Sequence, residues 1–135
     1  MVRVPDRLDI DKTDRTLYDN DIIQNEIFEG KTRKEQFLFA MSIGFRNGVR
    51  SPLNVGDGFF LSKDMRSEDE ALIDSLALFI SESEDTLSDR EEVFKIAEEY
   101  AHAGIKILFD DITSMQPGSY NKKLEVELAS IIEDL

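Results

Sequence analysis

Thr32–Leu53, with the sequence TRKEQFLFAMSIGFRNGVRSPL, is the stretch of the chain that decides the fold. Apolar residues recur along most of it at the spacing of one broad helical face. Thr32 and Glu35 have the spacing of a capping box, which predicts that a helix begins here. Gly48 predicts the end of this helix, because glycine readily takes the left-handed conformation, and Pro52 prevents a restart.

The same stretch carries most of the basic charge of an acidic protein. The chain has 135 residues and a net charge of −13. Residues 31–66 hold 7 basic and 3 acidic residues, whereas residues 67–111 hold 3 basic and 14 acidic residues. The candidate partner-binding residues are therefore basic: Arg33, Lys34, Arg46 and Arg50. The alternative interpretation is that these residues pair with the protein's own excess carboxylates.

Two further helices follow in the acidic half. The pairs Ser67 with Glu70 and Ser88 with Glu91 have capping-box spacing. After the second pair the helical period continues to about Thr113 and passes through Gly104, so one continuous helix is predicted. A glycine inside a helix costs about 1 kcal/mol relative to alanine. The expected compensation is close approach of another helix, and the predicted partner is the helix that begins at Thr32.

The remaining segments give weaker signals. A short helix is predicted at about Asp19–Ile27, ended by Gly30, and a last helix at about Asn121–Asp134, after a break at Pro117-Gly118. The last helix has an apolar stripe that can pack within the monomer or against a second copy: Leu124, Leu128, Ile131, Ile132 and Leu135.

The predicted fold class is all-α, a compact domain of about five helices over residues 13–135. Residues 1–12 are predicted to be a flexible tail, although Val2, Val4, Leu8 and Ile10 leave room for a short extended segment. Residues 53–66 are expected to form an irregular loop, between the first two long helices, that places aromatic side chains on the core. A brief strand within this loop remains open.

Composition bounds the function classes. The chain has no cysteine, so it has no disulfide, thiolate metal site or cysteine nucleophile. It has one histidine, His102, and lacks phosphate-binding and nucleophile motifs. No apolar run is long enough to span a bilayer. We therefore expect a cytoplasmic protein without membrane association, cofactor, metal or enzymatic activity, in which His102 has a structural or surface role.

An enzyme or metal protein built around Glu98, His102, Asp110 and Asp111 is the competing hypothesis, although adjacent carboxylates usually form solvated helix faces. Glu98 borders the apolar stripe of its helix, so partial burial is expected. An internal salt bridge between Glu98 and Arg50 would make the basic turn structural. Replacing Arg50 with alanine would then unfold the protein rather than remove binding to a partner.

Two segments occur in an order that is typical of a known family: QFLFAMSIGFRNGVRSPL at residues 36–53 and EEVFKIAEEYAHAGIKIL at residues 91–108. The matching positions are Phe37, Ala40, Gly44, Phe45, Arg50 and Pro52, followed by Ile96, Ala97, Glu98, Tyr100, Ala101 and Gly104. Over residues 28–112 the chain resembles the small accessory proteins encoded at DNA phosphorothioation (dnd) loci, the dnd-system-associated proteins. This resemblance implies a role in sulfur-based DNA modification or in the linked restriction system, but it does not supply a particular enzymatic activity.

These observations favour a non-enzymatic accessory protein that docks onto a larger protein of a DNA modification or defence complex. Two alternatives stay open. The basic residues could bind nucleic acid directly, although the net charge opposes this. The acidic surface of residues 67–111 could instead mimic DNA in a partner's binding site. A homodimer also remains possible.

Overall fold

The computed structural model describes residues 3–115 and 118–133 of the chain. Within them the fold is predominantly helical, as predicted, but a small sheet shows that it is not strictly all-α. Six α-helices and two strands follow one another in this order: β1 (Arg7–Asp11), α1 (Arg15–Tyr18), α2 (Asp21–Ile23), α3 (Arg33–Arg46), β2 (Gly56–Leu61), α4 (Ser67–Ser81), α5 (Arg90–Thr113) and α6 (Ser119–Glu133). Short 3₁₀ segments and one π-helical segment connect some of them.

The sheet corrects two expectations. β1 and β2 pair antiparallel, with Arg7 opposite Leu61. Leu8 and Ile10 alternate along β1 and are fully buried in the same core as the helices, so residues 7–11 do not belong to a flexible tail. β2 replaces part of the irregular loop predicted for residues 53–66, and Phe59 within it is buried as expected.

α3 and α5 form the centre of the core, as the glycine pattern predicted. α5 runs without a break through Gly104 to Thr113. A Cβ atom added at Gly104 would lie 1.7 Å from the carbonyl oxygen of Ala40, and one added at Gly44 would lie 2.1 Å from that of Tyr100. The backbones of the two helices therefore approach at a distance that only glycine allows at these positions.

The first predicted capping box is confirmed, and α3 begins after Thr32. The other two were wrong by one residue. The Arg66 amide donates to the Asp69 carboxylate at 2.9 Å, and the carboxylate of Asp89, rather than the hydroxyl of Ser88, caps α5. A nearby aspartate in each case supplies a charged acceptor for the free amides at the helix start.

The helix predicted at Asp19–Ile27 is present as the short helix α2 followed by a π-helical segment, whereas α1 lies before the predicted range. Asn20 caps α2, its side-chain oxygen accepting from the amide of Ile22 at 2.9 Å. The π-helical segment, Gln24–Phe28, follows α2 directly. Gly30 follows this segment with a φ of +76°, in agreement with the prediction that this glycine ends the helix.

α6 lies at the edge of the structure. Tyr120 is buried and Leu124 packs against the core, whereas Leu128, Ile131 and Ile132 are exposed to solvent. Within the described part of the chain, the predicted apolar stripe is therefore unpartnered from Leu128 onward. The predictions that fall on Val2, Pro117, Asp134 and Leu135 lie outside the described residues.

Candidate functional site

Two of the four basic candidates lie at the start of α3 and contact carboxylates of the same chain. Arg33 forms an ion pair with Asp19, and its guanidinium also donates to the side chain of Gln36 at 3.0 Å. Lys34 lies 2.8 Å from the carboxylate of Asp69, and both side chains are mostly buried. This end of α3 is therefore tied to the segments on either side of it.

The other two candidates lie at the opposite end of α3, where the chain turns towards α5. Arg46 contacts the carboxylate of Glu127 on α6 at 2.7 Å. Gly48 has a φ of +67°, and the amide of Val49 donates to the carbonyl of Gly44 at 3.0 Å. This tight turn directs Arg50 back across α5. The structure thus separates the four basic residues into two pairs at opposite ends of one helix.

Arg50 pairs with Glu99, not with Glu98 as the sequence suggested. Its Nε atom lies 2.6 Å from a carboxylate oxygen of Glu99. The amide of Ser51 donates to the backbone carbonyl of Glu99 at 3.2 Å, and the guanidinium lies 6.0 Å from the centre of the Tyr100 ring. The Glu99 side chain is only 8% exposed. The basic turn that contains Arg50 is therefore held by an ion pair within the chain, whose carboxylate is buried.

Glu98 faces the sheet instead. The amide of Asp9 in β1 donates to its carboxylate at 2.7 Å. Burial raises the pKa of Glu98 from its usual 4.5 to about 7, against the opposing effect of this hydrogen bond, and the negative charges of Asp9 and Glu99 add to the rise. The partial burial expected for Glu98 is confirmed, and its direct contact is with β1.

Replacing Glu98 with glutamine is expected to stabilise the protein at alkaline pH. The folded state holds the Glu98 proton more tightly than the unfolded state, so the stability of the native protein falls as the pH rises from 4.5 to about 7. Glutamine keeps an oxygen acceptor for Asp9 and has no charge to bury. We expect a gain of about 2 kcal/mol at pH 8 and almost none below pH 4.5, because Glu98 is only partly shielded.

Urea denaturation of both proteins at several pH values measures this difference. Glu125→Gln on the exposed face of α6 is the matched control and should change stability little at any pH. If Glu98→Gln raises the free energy of unfolding by the same amount at acidic and alkaline pH, the raised pKa of Glu98 is contradicted.

His102 lies on α5 and is buried where this helix packs against the N-terminal segment. Its Nδ1 atom lies 2.5 Å from the carboxylate of Asp14, and its Nε2 atom lies 3.4 Å from the ammonium of Lys106 and 4.0 Å from Asp11. Burial raises the pKa of Asp14, while the hydrogen bond from His102 lowers it. The hydroxyl of Tyr18, also buried, has no hydrogen-bond partner among the described residues.

The structure does not assemble the enzyme site that the sequence offered as an alternative. Asp110 is exposed and Asp111 lies 3.4 Å from Lys123, so neither joins His102. Asp11 and Asp14 were missed because they lie about ninety residues before His102 and no local spacing links them. Within the described ranges, no group of three or more histidine or acidic side chains is arranged to hold a metal ion.

The acidic segment of residues 67–111 is partly neutralised. Five of its carboxylates form ion pairs among the described residues: Asp69 with Lys34, Asp74 with Arg90, Glu91 with Arg3, Glu99 with Arg50 and Asp111 with Lys123. A DNA mimic requires a surface of free carboxylates at the spacing of phosphates, and this pairing reduces the charge available for one. None of the helices described in the structure has both the length and the apolarity needed to cross a membrane.

Comparison with known proteins identifies one family that the chain matches. Residues 16–132 match the model of a family described as DNA sulphur modification system-associated protein 4. The matched range includes residues 28–112 and confirms the resemblance stated from the sequence. The comparisons with curated proteins and with solved structures gave no match.

Proposed function

The chain belongs to this family of DNA sulphur modification system-associated proteins, and from that premise we propose that it is a non-enzymatic accessory protein. It docks onto a larger protein component of the modification complex or of the linked restriction system. The observation that carries the proposal is the concentration of exposed apolar side chains on α4 and α6. Large apolar patches on a small soluble protein mark interaction surfaces more often than they mark chance exposure.

The exposed residues are of the type that partner proteins cover. Phe79 on α4 is 70% exposed, and on α6 Leu128 and Ile132 have more than half of their surface in solvent. The buried His102 and Asp14 pair lies inside the core, where it holds the N-terminal segment against α5. This burial supports a structural role for His102 rather than a reaction at its side chain.

We still propose that the four basic residues, Arg33, Lys34, Arg46 and Arg50, make the polar contacts with the partner. Their side chains differ in how far their ion pairs expose them to solvent. Arg46 is the most exposed of them, at 48% of its side-chain surface, and its pair with Glu127 can exchange for a carboxylate of the partner. Lys34 and Arg50 are held in more buried pairs and contribute less. Direct nucleic-acid binding is disfavoured because all four cations are already neutralised within the chain and the net charge is −13.

Affinity purification tests the proposal in a host that carries the DNA sulphur-modification genes. We expect a tagged copy of the chain, expressed at its natural level, to recover a protein encoded by those genes, identified by mass spectrometry. The control is an unrelated tagged protein of similar size and net charge. Recovery of the chain alone would contradict docking.

A gene deletion tests the link to the pathway itself. We expect the deletion to change either the phosphorothioate content of the host DNA or the restriction of unmodified DNA. Unchanged values of both would count against an accessory role. A mobility shift with duplex DNA at low salt and micromolar protein would instead favour the nucleic-acid-binding alternative.

A further inference from the structure

An apolar groove runs along the outer face of α3, opposite the face that packs on α5. It consists of two adjoining cavities of about 470 Å³ and 370 Å³, which share Ser42 and Leu72 in their lining. α3 supplies the floor, α4 supplies one wall, and the start of α6 supplies the other. The apolar lining includes Leu38, Phe39, Phe45, Leu76, Phe79 and Leu124.

The walls extend the groove beyond these cavities. On α6, Leu128 and Ile131 follow Leu124 at spacings of four and seven residues, so they lie on the same face of that helix. The pair between Arg46 and Glu127 fixes α6 beside α3. Two helical walls over a helical floor form the type of groove that accepts the apolar face of another helix.

The helices that form the walls of the groove carry more acidic than basic residues: α4 has four acidic residues and no basic one, and α6 has three acidic and two basic residues. Glu68 lies four residues before Leu72 on α4, so it flanks the start of the apolar stripe of that helix. Glu125 adjoins the stripe of α6, and Glu35 lines the groove on α3 together with Lys31. A segment that fills the groove therefore places its own polar residues against carboxylates.

We propose that this groove binds an amphipathic helix of a partner protein whose flanking residues are lysine and arginine. The inference rests on the proposed docking function and specifies its surface and the chemistry of its partner. The floor extends over residues 35–45, about 16 Å at the rise of an α-helix, which matches about three turns of the bound helix. A second copy of this chain is disfavoured, because it carries a net charge of −13 and brings the same excess of acidic residues on its wall helices.

A titration with designed peptides tests the groove directly. The probe is a fluorescein-labelled peptide of about 15 residues with leucines at helical spacing and lysines elsewhere, long enough to form a helix when bound. Its matched control has glutamates in place of the lysines. Fluorescence anisotropy with the full chain is expected to show at least about tenfold tighter binding of the lysine peptide, and the difference should shrink at high salt.

Two variants locate the binding. Phe79→Ser is expected to weaken binding of the lysine peptide by about tenfold, since it removes an exposed ring from the wall without opening the core. Val126→Ser is the matched control, because Val126 is 69% exposed and lies off the stripe of α6. Equal affinity for both peptides, or an unchanged affinity of Phe79→Ser, would overturn the proposal. A dimer in light scattering that Phe79→Ser converts to a monomer would assign the groove to a second copy instead.

The affinity purification described above separates this proposal from the docking function. A partner that co-purifies equally with the native chain and with Phe79→Ser overturns the groove and leaves the accessory role intact. If the native chain recovers no partner, the accessory role itself is overturned, regardless of the affinities measured with the peptides.

Discussion

Replacing Gly104 with alanine is expected to lower the free energy of unfolding by about 3 kcal/mol or more. The added methyl group would lie 1.7 Å from the carbonyl oxygen of Ala40 and 2.8 Å from the amide nitrogen of Gly44. Both are backbone atoms of α3, so no side chain can rotate away to make room. α3 and α5 must move apart, which opens the core along their whole contact. The gain in helix propensity, about 1 kcal/mol, opposes this cost but is smaller.

Chemical denaturation followed by circular dichroism measures the effect. Lys95→Ala is the control for an alanine in the same helix, because Lys95 is exposed, and it should change stability by less than about 0.5 kcal/mol. Gly44→Ala should destabilise similarly, since its methyl group would meet the carbonyl of Tyr100. The double variant should lose less than the sum, because one separation of the helices relieves both clashes. A Gly104→Ala protein more stable than the native one would refute the close approach.

The helical part of the fold was predictable because its signals are local. The capping box at Thr32, the stop at Gly48 and the continuous period through Gly104 each lie within a few residues of the feature they determine. The pairing of α3 with α5 was also predictable, since a glycine on an apolar helix face is costly unless another backbone approaches it. Small errors arose where two capping residues compete, as Ser88 and Asp89 do.

The sheet could not be predicted, because its two strands pair across about fifty residues and each carries too short a pattern. Leu8 and Ile10 give only two alternating positions, and β2 contains Gly56 and Gly58, which suggest a turn. The same limit applies to the polar contacts. Sequence shows that Arg46 is a cation on an acidic protein, but its pairing with Glu127 depends on where α6 packs.

The ion pair of Arg50 shows why the sequence-based prediction of its partner was wrong by one residue. Consecutive residues on a helix point about 100° apart, so Glu98 and Glu99 face different neighbours. The sequence predicts that Glu98 borders the apolar stripe of α5, but it does not show on which side the turn after α3 returns. The structure places the turn on the side of Glu99 and β1 on the side of Glu98. Local pattern pointed to Glu98 as the partner of Arg50, and tertiary packing places Glu99 there instead.

Replacing Arg50 with alanine is expected to destabilise the protein by about 3 kcal/mol. Removing one partner of a buried ion pair leaves the other charge without compensation, at a cost of about 3 to 5 kcal/mol. The lower end applies here because the Arg50 side chain is 31% exposed, although Glu99 is only 8% exposed. The position of Arg50 above the Tyr100 ring adds a smaller loss. Arg46→Ala is the matched control at the same end of α3, and its more exposed pair should cost less than about 1 kcal/mol.

A double-mutant cycle isolates the pair. Arg50→Ala and Glu99→Gln should each destabilise the protein, and the double variant should be more stable than the sum of the two losses predicts, because glutamine leaves no buried charge behind. Denaturant titration gives the coupling free energy, and affinity purification of the same variants shows whether Arg50 also contacts the partner. An Arg50→Ala protein as stable as Arg46→Ala that no longer recovers the partner would show that Arg50 acts on the partner. If Glu99→Gln instead reduces the loss of stability that Arg50→Ala causes, the basic turn is held by contacts within the chain. Arg46 is then the cation of this turn that can exchange its partner.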